Sequence, residues 1–301
     1  MLKSILILIL LLALVLLAIA FYFTLQAIKP NCMSAEKQIQ RCLIDNGLDP
    51  ALAGLPYETW RLSSCRGSGL LARFYPCGDN KRIILLNHGY NSPWISMLKY
   101  YDLLHGLGYA LLLPDHQAEG ESEGRWITYG ILESEDGLLW LDEAKRRYPS
   151  AELSVVGESM GAATSLLIAE KRSDLRFCLA DCPYSDLIEE LNYMGRKRYH
   201  LPMTLVMPLV KVWFRLLTGH PMRDASPKNH IQRLQVPTLL VHGDTDPTCP
   251  VTMSRVLSKM NSNITYWEAP DCRHAEVVCR RADEYHRHME AFLSQLEEVS
   301  L

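Results

Sequence analysis

The 301-residue sequence lacks the patterns that accompany several classes of function. It has no CxxC pair and no paired spacing of metal-ligating residues, so we expect no zinc site, no other metal and no cofactor. It has no long block of lysine and arginine and no basic stripe interleaved with aromatic residues. With a formal net charge of −3, this argues against a nucleic-acid partner. Internal repeats and low-complexity stretches are also missing, which leaves one large domain with a short extra segment.

Charge is missing altogether from residues 5–28. Residues 5–23 are almost purely apolar, and about 20 such residues span a bilayer. A cleaved signal peptide is the alternative, because Ala18, Ile19 and Ala20 have the small-x-small form of a cleavage site. The apolar run continues through residues 21–23, however, where a polar region would precede cleavage. We therefore predict an uncleaved transmembrane anchor over residues 1–28 and a partner in membrane lipid.

The flanking charges specify the orientation of this anchor only weakly. Lys3 and the amino terminus lie on one side, and Lys29, Lys37 and Arg41 follow on the other. An extracytoplasmic catalytic domain is slightly favoured. Residues 29–59 are interpreted as a stalk and entry segment, with Ser34 as a helix cap before Ala35, and residues 60–301 as the domain.

Short apolar runs alternate with helical patterns along the domain. Most of these runs are unbroken, as in strands that are covered on both faces, and the alternation predicts an α/β fold with a mostly parallel sheet flanked by helices. The predicted strands are residues 70–75, 82–87, 109–114, 152–156, 176–180, 238–241 and 264–267. Helices are predicted for residues 131–148 and for the apolar stripe between residues 282 and 296.

The most informative stretch is residues 153–161, LSVVGESMG. A strand that runs into G-x-S-x-G and then into a helix is the nucleophile elbow of an α/β-hydrolase. Ser159 would occupy a sharp, strained turn, and Gly157 and Gly161 would relieve the collision of strand and helix. The sequence resembles the α/β-hydrolase superfamily here, and the resemblance extends over about residues 60–296.

This resemblance implies partners for Ser159 in the chain order serine, acid, histidine. The strand at 238–241 ends in HGDTDP, which looks like the HGxxD loop of the superfamily and implies Asp246 as the acid, with Asp244 as the alternative. His274 follows the last predicted strand and precedes the last helix, where the base belongs. The resemblance further implies that the backbone N–H groups of Tyr90 and Met160 form the oxyanion hole, with His88 as a structural hydrogen-bonding residue.

Within the superfamily, the sequence most resembles membrane-anchored bacterial serine hydrolases similar to S33 serine aminopeptidases, with Tyr129 and Gly130 before an acidic helix. It departs from D-x-R-G-x-G-x-S, which many relatives carry after the third strand. Here the segment is DHQAEGES, and Gln117 stands in place of the arginine.

An insertion at about residues 184–230 occupies the usual place of a small helical lid. Residues 201–218 are nearly all apolar, and we expect Pro208 to begin a second helix within them. We expect this segment to roof the Ser159 pocket; a helical hairpin packed on the sheet edge is the alternative. Candidate lining residues are the large or flexible apolar side chains Met203, Leu205, Met207, Trp213 and Phe214.

The sequence thus predicts a single-pass serine hydrolase that cleaves small-molecule carboxylic esters, including esters with an acyl chain, through an acyl-enzyme intermediate. One alternative is a small-peptide or amide hydrolase, which would need a carboxylate such as Glu158 or Glu119 to hold a free amine. Another is a membrane-tethered binding protein without catalysis, which would not need Ser159, Asp246 and His274 together.

Nine cysteines are an odd number, so at least one thiol is free within a monomer. Cys249 lies three residues after the proposed acid and Cys272 two residues before the proposed base. A disulfide between them is a hypothesis that requires Cα atoms within about 7 Å; two buried thiols are the alternative.

Overall fold

A single eight-stranded sheet organises the chain in the computed structural model, which describes residues 2–30, 35–200 and 202–298. The strand order is β1-β2-β4-β3-β5-β6-β7-β8; β2 is antiparallel to β1 and β4, and the other pairs are parallel. The strands are β1 Glu58–Ser63, β2 Gly69–Tyr75, β3 Arg82–Asn87, β4 Ala110–Pro114, β5 Glu152–Glu158, β6 Cys178–Asp181, β7 Thr238–Gly243 and β8 Ile264–Ala269.

Helices cover both faces of this sheet and one end of it. Their bounds are α1 Leu2–Ile28, α2 Ala35–Cys42, α3 Tyr101–Gly106, α4 Ile131–Arg147, α5 Met160–Lys171, α6 Leu187–Tyr199, α7 Met203–Thr218, α8 Thr252–Met260, α9 Val277–Arg280 and α10 Ala282–Glu298. Short 3₁₀ turns complete the connections. The predicted cap at Ser34 and the first residue of the predicted lid segment, Leu201, lie outside the described residues.

The predicted α/β fold is confirmed, and all seven predicted strands are present. Strand β1 was missed, because only one of its side chains is buried and no apolar run marks it. That side chain is Trp60, which stacks on Phe74 with the ring centroids 4.4 Å apart. The sheet therefore begins at Glu58, within the segment that was interpreted as a stalk and entry segment.

The prediction that Pro208 begins a second helix is wrong. Helix α7 runs without a break from Met203 to Thr218 and contains Pro208 in its second turn. A proline removes the hydrogen bond to the carbonyl four residues earlier, here that of Thr204. Both residues are exposed, so the freed carbonyl is not buried in the protein core.

Alternate residues of the central strands enter two different apolar clusters. Ile84 and Leu86 of β3 belong to the cluster under α3 and α10, whereas Ile83 and Leu85 belong to the cluster under α4 and α5. The sheet is thus buried on both faces, which explains the unbroken apolar runs.

A third apolar cluster lies outside the sheet and joins α1 to the insertion. Helix α1 buries Ala20, Thr24 and Ile28, a spacing of four that places them on one face, while its preceding turns are mostly exposed. The ring of Phe21 packs on that of Trp213 in α7, with centroids 4.8 Å apart. Helix α1 is the one helix in the described part of the chain that is long and apolar enough to cross a membrane.

Candidate active site

The nucleophile elbow stands between the end of β5 and the start of α5. Ser159 has φ +56° and ψ −118°, a backbone conformation that costs energy for a residue with a Cβ. The two glycines make this turn possible. A Cβ on Gly157 would lie 2.1 Å from the Gly161 carbonyl oxygen, and a Cβ on Gly161 would lie 1.9 Å from that of Asn87. Any side chain at either position would force strand and helix apart.

Three side chains from separate loops form a continuous hydrogen-bond relay. His274 places Nε2 2.9 Å from Ser159 Oγ and Nδ1 2.6 Å from Asp246 Oδ2. Ser159 follows β5, Asp246 follows β7 and His274 follows β8, so the carboxyl ends of parallel strands bring them together. Asp244, the alternative acid, is exposed to solvent.

Four donors hold the Asp246 carboxylate. Its Oδ1 accepts the backbone N–H groups of Thr248 at 2.7 Å and Cys249 at 2.9 Å. Its Oδ2 accepts from His274 and also from Nε2 of His242, at 3.1 Å. Burial alone would raise the pKa of Asp246, but the hydrogen bonds from His242 and His274 outweigh it and hold the pKa well below its ordinary value. The Asp246 side chain is therefore ionised and fixed in position.

The contact between Asp246 and His274 shifts the pKa of His274 in the opposite direction. Burial would lower the pKa of His274, but the hydrogen bond and negative charge of Asp246 outweigh burial and raise the pKa above 6.5. An imidazole in this setting takes a proton from a hydroxyl more readily than a free one does. Sequence reasoning did not single out His242, although it begins the HGDTDP segment and stands four residues before the acid.

The loop of residues 88–91 lies directly against the elbow. A Cβ on Gly89 would lie 3.4 Å from the Cβ of Ser159 and 3.5 Å from the carbonyl oxygen of Glu158. Tyr90 follows this contact, and Met160 opens α5, where the first N–H groups of a helix lack intrahelical acceptors. His88 makes two backbone hydrogen bonds, to the Gly89 carbonyl at 2.8 Å and from the His116 N–H at 3.0 Å.

Tyr90 is fixed on both sides. Its ring stacks on Tyr129 with centroids 5.3 Å apart and planes 10° apart, and its hydroxyl donates to the Gln26 carbonyl of α1 at 3.1 Å. On the other side, the N–H of Asn91 donates to the buried Glu119 carboxyl at 2.6 Å. Burial and the charge of Glu133 raise the pKa of Glu119 well above its ordinary value.

A buried ionic network lies beneath the elbow. Glu158 forms an ion pair with Lys99, and the Tyr100 hydroxyl donates to Glu158 at 3.3 Å and to Asp181 at 2.9 Å. Asp181 in turn accepts the N–H of Ser159 on its backbone carbonyl at 2.8 Å. Sequence reasoning missed this network, because the partners are far apart in the chain and no spacing marks them.

The segment of residues 115–122, in which Gln117 stands where many relatives have an arginine, forms ion pairs with Arg73 of another strand. Arg73 on β2 pairs with Asp115 at 2.5 Å and also with Glu121. The side chain of Gln117 is buried, with Nε2 unpaired among the described residues. The positive charge in this region thus comes from the strand rather than from the loop.

The candidate lid residues fall into two groups. Met203, Met207 and Phe214 are buried in the third apolar cluster, which also contains Met160 next to the nucleophile, and Trp213 is half-buried against it. Leu205 lies on the opposite side of α7 with 59% of its surface exposed, so it does not line this cluster.

A carboxyl group that sequence reasoning did not single out belongs to the same region. Glu190 of α6 is buried, and its Oε2 is unpaired among the described residues. Burial raises its pKa to about 7, against the opposing charge of His274. Its carboxyl group therefore interacts electrostatically with His274.

The cysteines form no disulfide within the described residues, and Cys249 and Cys272 are both buried thiols. The Sγ of Cys249 lies 3.4 Å from the Pro183 carbonyl oxygen. In the described part of the chain, the donor atoms of Cys182, Asp246 and His274 lie within 4.8 Å of one another. Burial raises the pKa of the Cys182 thiol, and the other two bond each other, so this set is poorly prepared for a metal.

Comparison with known proteins gives concordant matches. Residues 78–183 match the family model described as serine aminopeptidase, S33. The uncharacterized protein YqkD of Bacillus subtilis (strain 168) is 30% identical over 224 residues, 73% of each chain. Mouse monoglyceride lipase is 29% identical over 122 residues, which are 39% of this chain and 40% of the lipase.

The fold has solved counterparts. The esterase Pf2001 of Pyrococcus furiosus superposes with a TM-score of 0.70 and 21% identity, over 89% of this chain and 98% of the esterase. The similarity of this structure supports the fold, and the Bacillus subtilis relative and the family model support membership of the family. The chain belongs to the α/β-hydrolase superfamily, in the family of hydrolases similar to S33 serine aminopeptidases.

Proposed function

We propose that this hydrolase is a membrane-anchored serine esterase that cleaves carboxylic esters through an acyl-enzyme intermediate. The observation that carries the proposal is the relay in which His274 contacts Ser159 at 2.9 Å and Asp246 at 2.6 Å. A serine hydroxyl becomes a nucleophile when a base is positioned to take its proton and an acid fixes that base.

In the proposed mechanism, Ser159 Oγ attacks the ester carbonyl carbon while His274 Nε2 accepts the hydroxyl proton. The backbone N–H groups of Tyr90 and Met160 stabilise the negative oxygen of the tetrahedral intermediate. His274 then protonates the leaving alkoxide, which departs as an alcohol. A water molecule then attacks the acyl-enzyme while His274 accepts its proton. His274 returns this proton to Ser159 Oγ as the carboxylic acid leaves.

We propose that the third apolar cluster binds the acyl group of the ester. Met203, Met207 and Phe214 of the insertion lie there beside Met160, and flexible methionines adapt to acyl chains better than to charged peptides. The carboxylates first considered for a peptide amine are engaged: Glu158 pairs with Lys99, and Glu119 accepts the N–H of Asn91. These contacts favour esters over small peptides.

The proposed anchor is residues 1–28, of which Leu2–Ile28 form α1, and residues 29–59 are the proposed stalk and entry segment. Its apolar side chains before Ala20 are mostly exposed, as expected of a helix that lipid covers, whereas its last turns pack on the domain. The packing of Ala20, Thr24 and Ile28 supports retention of this helix rather than its removal as a signal peptide.

The test is reaction of the purified full chain with a fluorophosphonate and with p-nitrophenyl esters of graded acyl length. We expect labelling and turnover for the natural chain and neither for Ser159→Ala. A serine-independent hydrolysis, equal in both proteins, would contradict the proposal. Retention of the natural fold in the variant is checked by thermal denaturation.

A further inference from the structure

The last turn of α1 is completed by the catalytic domain. A helix leaves its final carbonyl groups without intrahelical donors, and these must find partners elsewhere. Here three successive carbonyls receive donors from two loops of the domain. The bonds run from the Tyr90 hydroxyl to Gln26 at 3.1 Å, from the Tyr129 hydroxyl to Ala27 at 2.8 Å, and from the Ile127 N–H to Ile28 at 2.8 Å.

One of these donors belongs to the residue that carries the proposed oxyanion N–H. The ring of Tyr90 is clamped between Tyr129 and the end of α1, and the next N–H in the chain, that of Asn91, is held by Glu119. Tyr129 is itself held, because its carbonyl accepts the Tyr184 hydroxyl at 2.6 Å. Tyr129 and Glu119 are thus fixed within the domain, and the contact with the end of α1 is the support of Tyr90 that comes from outside it.

The end of α1 in turn packs on α7. Ala20 and Ile28 have no exposed surface and belong to the same cluster as Val210 and Phe214 of α7. A contact between Phe21 and Trp213 adds to this seat. A shift of α1 on α7 would therefore move the carbonyls that hold Tyr90.

We propose that the final turns of α1 are a positioning element of the active site, which couples the oxyanion hole to the seating of the anchor on α7. The inference rests on the proposed function, in which the Tyr90 N–H is an oxyanion donor. An anchor that merely tethers the domain would leave turnover independent of how α1 packs. A positioning anchor makes turnover sensitive to that packing.

The expected effect lies in kcat. Loss of an oxyanion-hole donor costs about 10²–10³ in kcat, and loosening its support should cost less, about tenfold. The third cluster is also the proposed acyl site, so the measurement uses p-nitrophenyl acetate, whose acyl group is too short to need that cluster, and KM for this ester should change little. Interactions realised only in the transition state have this signature.

The experiment uses the full chain in phospholipid nanodiscs and two matched substitutions in α1. Ala20→Phe places a large ring at a fully buried position against α7, whereas Ala18→Phe places the same ring on the exposed side of the helix. With p-nitrophenyl acetate as the substrate, we expect Ala20→Phe to lower kcat by about tenfold with KM almost unchanged, and Ala18→Phe to match the natural chain.

Tyr90→Phe supplies a second variant that removes a single oxygen and keeps the ring and the backbone N–H. It should lower kcat in the same direction as Ala20→Phe. If both act through one contact, the double variant should be no more than about twofold slower than Ala20→Phe alone, because coupled substitutions are not additive.

Amide hydrogen exchange of residues 89–92 provides a readout that does not need catalysis. We expect faster exchange in Ala20→Phe than in Ala18→Phe, without faster exchange in β3 and β5. Equal exchange rates and equal kcat in Ala20→Phe and Ala18→Phe would overturn the inference. If the natural chain neither hydrolyses esters nor reacts with a fluorophosphonate, the proposed function fails, and the exchange measurement still decides the coupling.

Discussion

The two walls of the candidate active site are built in different ways. The triad wall consists of loops at the carboxyl ends of β5, β7 and β8, and short hydrogen bonds fix its side chains. The wall made of α1, α6 and α7 lies outside the sheet and is held mainly by apolar contacts and by methionines. A sheet edge places reacting atoms precisely, whereas packed helices form an adaptable surface. We therefore expect changes in the first wall to abolish the reaction and changes in the second to alter its rate or selectivity.

The sharpest contrast within the triad wall is between two neighbouring aspartates. Asp246→Asn should lower kcat by about 10⁴, because the amide no longer fixes the tautomer of His274. Asp244→Asn should leave kcat within about twofold, since this side chain is exposed and outside the relay. Steady-state kinetics with one p-nitrophenyl ester compares the two. A larger loss for Asp244→Asn would mean that the acid is misassigned.

Replacement of Trp213 and Phe214 together by alanine tests the second wall. We expect kcat/KM for long acyl chains to fall at least about tenfold relative to short ones, because apolar contact with the chain is lost. Val212→Ala with Leu216→Ala, on the exposed side of the same helix, is the control. Thermal denaturation confirms that both proteins are folded. If the folded Trp213/Phe214 variant keeps the same selectivity for acyl-chain length, α7 does not contact the substrate and only packs on the domain.

The pH profile provides the smallest expected effect. His274 must be neutral to act as the base, so activity should fall as the pH drops through its raised pKa, above 6.5. The negative charge of Glu190 contributes to that rise. Glu190→Gln should lower the pKa of His274 by less than about one unit and shift the acid limb of kcat/KM to lower pH. Glu189→Gln, at an exposed position on the same helix, should not shift it; equal shifts would contradict a specific role of Glu190.

The candidate triad residues could be selected from the sequence because their signals are local. G-x-S-x-G and HGDTDP each combine a turn with a reactive side chain, and the strand order then assembles them. The contacts of the second wall have no such signature. Lys99 with Glu158 and Phe21 with Trp213 are distant in the chain, and ordinary apolar or charged residues form them. Pro208 inside α7 shows how tertiary context overrides a local preference.

The most direct test of the central claim is to locate the covalent adduct that forms on the full chain. After reaction with a fluorophosphonate, the protein is digested and its peptides are analysed by mass spectrometry, with residual ester hydrolysis measured in parallel. The proposed mechanism predicts one adduct, on Ser159, and loss of activity in proportion to its formation. An adduct on another residue, or full activity in a protein modified at Ser159, would contradict it.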